Sequence, residues 1–178
     1  MRPFTTFPDL ATVLGQTRDA MHNVGRYLIH PEIMPETKAR FRTHLTGNLP
    51  LLMLFAPVVR SAGYSPEQVR GITKALNREL REDTQWVLIT EKGGVETIGP
   101  DLLNMKLGDF LASYRKSGTD LKVFNVAPMR KIAAAAVGLT MSRYFPDGLP
   151  PETPKGSWEK PKAMVEFERS QAKKKVRA

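Results

Sequence analysis

Residues 61–99, SAGYSPEQVRGITKALNRELREDTQWVLITEKGGVETIG, hold a tight turn, a sharply capped helix and a β-hairpin in that order, and the rest of the chain is read outward from them. Ser65-Pro66-Glu67-Gln68 has the spacing of a capping box, with proline at the first helical position, where its missing N–H costs nothing. At about 100° per residue, Val69, Ile72, Leu76 and Leu80 fall on one apolar stripe, while Arg70, Lys74, Arg78 and Arg81 share an arc of roughly 80° facing largely away from it. One face suits a core and the other is cationic. Trp86-Val87-Leu88-Ile89-Thr90 and Val95-Glu96-Thr97-Ile98 then flank Glu91-Lys92-Gly93-Gly94, two β-rich runs around a glycine turn.

Upstream, Leu49 to Val59 is apolar on all sides, as a buried helix is, and Pro57 is expected to kink or break it. A short helix from Glu36 to Leu45 precedes it, carrying Lys38, Arg40 and Arg42 around Phe41 and closed by Thr46-Gly47-Asn48. With Ala62-Gly63-Tyr64 as the turn, this makes three helices followed by a hairpin. The order resembles a winged helix-turn-helix over about 60 residues. What the resemblance implies is a helix from Ser65 that approaches a nucleic-acid groove while the hairpin tip meets phosphate.

At the N-terminal end, Thr5-Thr6-Phe7-Pro8-Asp9 starts a helix in which Leu10, Leu14, Thr17, Met21, Val24 and Leu28 recur every three or four residues, a core-facing stripe broken finally by Pro31 and Pro35. Beyond the hairpin, Pro100-Asp101 opens a helix with Leu103, Leu107, Phe110, Leu111 and Tyr114 on one side and Arg115-Lys116 near its end. Leu121 to Val126 reads as a strand that adds a third member to the hairpin, since two strands alone are marginal. Pro128 begins a core helix through Met129, Ile132, Ala136, Leu139 and Tyr144, whose alanine run allows another helix to approach closely. From Pro146 to Pro161, five prolines and two glycines in sixteen residues exclude regular structure. The expected fold is therefore mostly helical α+β: residues 1–145 form one domain, a helix bundle with a small antiparallel sheet, and residues 146–178 form an extended Pro-rich arm with a basic tail.

Several function classes drop out on composition. There is no cysteine, which removes disulfides, thiolate zinc sites and thiol catalysis. No segment has the look of a signal peptide or a membrane span, so a cytoplasmic protein without membrane contact is expected. His22, His30 and His44 lack the spacing that sets two imidazoles on one helix face for a metal. No phosphate-cradling glycine loop or nucleophile elbow is present, and Glu79 and Glu82 sit at helix spacing beside Arg78 and Arg81, as solvated ion pairs do. Neither catalysis nor a cofactor is expected.

The 178-residue chain carries a net charge of +9, a surplus that favours polyanions. Its distribution is uneven: seven cations against four anions in residues 1–60, five against six in 61–100, seven against three in 101–145 and eight against five in 146–178. The capped helix thus lies in the one segment that is not basic overall, although only Glu67 among its acids shares the cationic arc. The reading that follows is non-catalytic binding of DNA or RNA. Arg70, Lys74 and Arg78 would face the groove and Lys92 the backbone, joined by Arg115, Lys116 and the tail cations Lys173, Lys174, Lys175 and Arg177. The alternative is a structural or adaptor protein, homo-oligomeric or bound to another chain through residues 146–178, with Trp158 and Phe167 as the apolar anchors.

Overall fold

The computed structural model describes residues 3–35, 44–99, 112 and 121–146. Over these residues the chain is mixed α+β, in the order β1 (Phe4–Thr6), α1 (Phe7–Leu14), α2 (Arg18–Leu28), a single 3-10 turn (Pro31–Ile33), β2 (His44–Thr46), α3 (Leu49–Ser61), α4 (Pro66–Glu79), β3 (Trp86–Thr90), β4 (Val95–Ile98), β5 (Leu121–Asn125) and α5 (Ala127–Tyr144). The helix expected from residue 101 and the arm from residue 147 lie outside the described residues, Ala112 excepted.

Nine of the thirteen residues of α3 are buried, from Leu49 through Ala56 and again at Val59, and α2, α4 and α5 pack against it. The helix runs through Pro57 without ending there. Val69, Ile72 and Leu76 of α4, Val87 and Ile89 of β3, Ala133 and Ala136 of α5, and Leu10 of α1 complete one contiguous core. The strands form two antiparallel sheets: β1 with β2, and β4-β3-β5 with the hairpin strand β3 in the middle. Trp86 pairs with Ile98 on one side and Asn125 on the other, so β5 joins the hairpin as a third strand, as its sequence implies. Gly93 at the tip takes φ +83, a left-handed conformation that glycine adopts without steric cost.

The first helix of the sequence reading is in fact two. Gly15 takes φ +62 and donates to the Ala11 and Thr12 carbonyls, which closes α1, and Thr17 then caps α2 by accepting from the Ala20 N–H. The stripe of three and four ran through this corner without marking it, because Leu10 and Met21 are buried on both sides of the break. His44 and Leu45, expected as the end of a helix, are not helical. They belong to β2, where Leu45 pairs with Thr5 and is fully buried. Residues 36–43 of that expected helix lie outside the described ones. Gly47 (φ +59) consequently turns strand into helix, and the Asn48 amide donates to the Asn77 and Leu80 carbonyls at 3.3 Å each, capping the far end of α4.

α5 lies across β1, α1 and α3. Its buried side is Ala133, Ala136, Thr140 and Tyr144, whereas Leu139, assigned by spacing to that side, is only half-buried. At this contact Asp9 is wholly enclosed, and a carboxylate can be buried only if its oxygens are satisfied. The Thr6 and Thr140 hydroxyls each donate to Oδ2 at 2.8 Å, and Arg143 Nη1 pairs with Oδ1. Thr5 Oγ1 lies 3.0 Å from Thr140 Oγ1 and donates to the Ala136 carbonyl at 3.1 Å. A polar knot therefore ties the N-terminal strand and helix to the last described helix.

Candidate nucleic-acid interface

The capping box of α4 is formed in both directions: the Ser65 N–H donates to Gln68 Oε1 at 2.8 Å and the Gln68 N–H to Ser65 Oγ at 3.2 Å. That fixes where the helix begins, and the apolar stripe turned onto α3 fixes its rotation. The side chains left outside are Glu67, Gln68, Gly71, Arg78 and Glu79, exposed, with Arg70 and Lys74 half-buried beside them. The helix ends at Glu79 with Leu80 extended, so Arg81 leaves the cationic arc. Its carbonyl instead accepts from Arg130 Nη2 at 2.8 Å, which pins the loop after α4 to α5.

Arg70, Lys74 and Arg78 do share one surface, and it is a seam between α4 and α2. Arg70 Nε donates to the Tyr27 carbonyl at the end of α2, 3.0 Å away. Thr73, buried between them, accepts the His30 N–H at 3.2 Å. Lys74 Nζ meets Glu32 Oε2 at 2.7 Å, with 32% of the lysine and 62% of the glutamate side chain exposed. The Glu32 carboxyl is held below the usual carboxylate range, chiefly by the hydrogen bond from Lys74 and then by the charges of Lys74, His30 and Arg78. Arg78 thus reaches the same field from the next turn. Glu67, the one acid in the arc, is likewise lowered, first by its own backbone N–H and the Ser65 hydroxyl at the helix start, then by Arg70 and Arg60.

Tethering does not remove these cations from use. A guanidinium has five N–H donors in a fixed fork, and Arg70 commits only Nε among the described residues, leaving both amino groups free to meet an anion. An ammonium has three, of which Lys74 gives one to Glu32.

Two further members of this surface, Arg26 and Tyr27, are not singled out by charge spacing. Tyr27 is 48% exposed, and the Arg26 guanidinium lies 5.3 Å from its ring centroid, within cation–π range. A signal was present: Tyr27 falls off the core stripe of its helix and follows an arginine, so helical spacing alone sets an aromatic ring beside a cation on the outer side. At the start of α2, Arg18 Nε donates to His22 Nε2 at 3.2 Å while the imidazole stacks on Phe7 at 4.2 Å. Burial, then Arg18, lowers the His22 pKa, against a smaller opposing effect of Asp19. This histidine serves as a neutral acceptor in a surface contact.

Lys92 is exposed at the hairpin tip but does not join the seam. Gln68 Nε2 reaches the Glu91 carbonyl at 3.5 Å and a Cβ on Gly93 would lie 3.9 Å from Ile72, so the tip lies along the Gln68 and Ile72 side of α4. That side is about 160° or more around the helix from Arg70. Beyond it, at the end of α4 and along β4, a cleft of about 350 Å³ is walled by Glu79, Asp83 and Glu96 against the single cation Arg81, a surface that repels phosphate. Arg115, Lys116, Trp158, Phe167, Lys173, Lys174, Lys175 and Arg177 lie outside the described residues. Among the described residues no group of three or more histidines and carboxylates is placed to hold a metal, and no helix is long and apolar enough to cross a membrane. No protein-family model, curated protein or solved structure matches the chain.

Proposed function

We propose that this protein binds nucleic acid without catalysis, through the surface where α2 meets α4. The observation that carries the reading is the convergence of Arg26, Arg70, Lys74 and Arg78 on that surface, three of them already oriented by a carbonyl, a carboxylate or an aromatic ring. Oriented cations lose less side-chain entropy on meeting a phosphate than free ones. The net charge of +9 supplies long-range attraction, with the tail cations Lys173 to Lys175 and Arg177 adding sequence-independent contacts. In this reading α3, α4 and the β3–β4 hairpin form a winged-helix-like scaffold that presents α4, and Lys92 makes a separate phosphate contact on its other flank.

The test is a salt titration of binding to labelled oligonucleotides by fluorescence anisotropy, using the full chain. The four contacts of the seam alone predict a loss of roughly 50-fold in affinity for a single strand between about 50 and 200 mM salt, and Lys92 and the tail cations steepen it further. Gly71 is exposed at the edge of the cationic arc, one position from Arg70 and next to Arg78 in helical rotation, with nothing within 4 Å of a built Cβ, so Gly71→Glu adds a carboxylate there without a clash and should weaken binding. Absence of binding at low salt would overturn the reading in favour of an assembly role for residues 146–178.

A further inference from the structure

Resting on that reading, we infer that the nucleic acid taken by the α2–α4 surface is single-stranded, and that Tyr27 is the platform on which one of its bases stacks. Two observations beyond charge lead there. The first is the geometry of the cations. Arg70 and Lys74 are drawn down onto the end of α2 and the turn after it, so the cationic row lies along a seam between helices rather than on a helix that stands clear to enter a groove. Reading the groove of a duplex needs such a protruding element. A single strand can follow a seam.

The second observation is Tyr27 itself. It is a large ring with nearly half its surface in solvent, whose face is approached by Arg26 while its own carbonyl holds Arg70. One residue thus brings together a π-surface, the guanidinium of Arg26 against its ring and, through its backbone carbonyl, that of Arg70. Bases in a duplex are already stacked on each other and offer no free face at the phosphate surface, whereas unpaired bases stack on exposed aromatic rings while their phosphates meet neighbouring cations. Gly71, with no side chain and open space around it, adds no bulk at the outer edge of the cationic arc.

Anisotropy titrations of oligo(dT) and oligo(rU) of about 20 nucleotides and a duplex of the same length, against wild type, Tyr27→Leu and Tyr27→Phe, decide this. Thermal melts of each variant confirm folding, and the exposed position of Tyr27 makes both substitutions benign to it. The expected result is single strands bound at least about tenfold more tightly than duplex, a loss of about tenfold for Tyr27→Leu with an unchanged salt slope, and near wild-type binding for Tyr27→Phe. Equal affinity for the two homopolymers, or a preference for either, supports the inference, a preference for oligo(rU) pointing to RNA. Duplex bound as well as single strand, or Tyr27→Leu within about twofold of wild type on all ligands, overturns it while the nucleic-acid reading stands. No binding to any of the three overturns both.

Discussion

Two ion pairs in this protein use the same charges for opposite ends. Asp9 and Arg143 meet where α1 packs on α5, and the carboxylate side chain is 1% exposed. Lys74 and Glu32 meet on the surface between α4 and the turn after α2, where both remain open to water. Burial obliges the first pair to be complete, and Asp9 accordingly has two hydroxyl donors as well as the guanidinium. Such a group specifies which elements pack together, since any other arrangement leaves a charge without partners. The second pair is screened and worth little to stability. Its cation can therefore exchange a carboxylate for a phosphate at small cost, which is what a binding surface needs.

The contrast yields a graded series of substitutions, each read by urea denaturation. Asp9→Ala should cost about 3 kcal/mol, because it removes the acceptor of the buried Thr6 hydroxyl, the partner of Arg143 and the group that joins α1 to α5. Thr140→Val keeps the shape but removes the hydroxyl that meets both Asp9 and Thr5, at about 1 to 2 kcal/mol. Gly71→Ala should stabilise by about 0.5 to 1 kcal/mol, since the glycine sits in a helix with open space around it. Lys74→Ala should change stability by less than about 0.5 kcal/mol near pH 7. The pH dependence has a definite sign. Glu32 titrates lower in the folded protein than its ordinary value, so the small contribution of the pair is present above that value and lost as pH falls through the lowered one. Wild type and Lys74→Ala should then converge in stability as pH falls through that lowered value. If Asp9→Ala proved as mild as Lys74→Ala, the distinction between the two regions would fail.

The parts of this fold that announced themselves in the sequence are those built on local chemistry. Ser65-Pro66-Glu67-Gln68 makes its capping box from four consecutive residues, the Gly93 turn needs only its own φ, and α3 is apolar on every side whatever packs around it. Features that depend on a distant partner were silent. β1 and β2 are three residues each, too short to show alternation, and exist because each supplies the other's hydrogen bonds across some forty residues. Asp9 reads as an ordinary acid in the first turn of a helix, and only its meeting with Thr140 and Arg143 makes it a buried anchor. The corner at Gly15 was hidden because a continuous stripe is compatible with both one helix and two. The site divides in the same way. The arc of Arg70, Lys74 and Arg78 follows from helical spacing, but that it faces Tyr27 and Glu32 does not. Nor does spacing reveal that the hairpin tip with Lys92 lies on the other side of α4.

The central claim is that the α2–α4 seam contacts phosphate, and the salt slope of the variant Arg70→Ala, Lys74→Ala, Arg78→Ala measures this most directly. Alanine at these three positions leaves the core untouched, so the variant should fold as wild type does. The slope of log K against log salt should fall by about 0.7 per lost contact on a single strand, about 2 in all. A slope equal to that of wild type, with binding retained, would contradict the assignment of the seam.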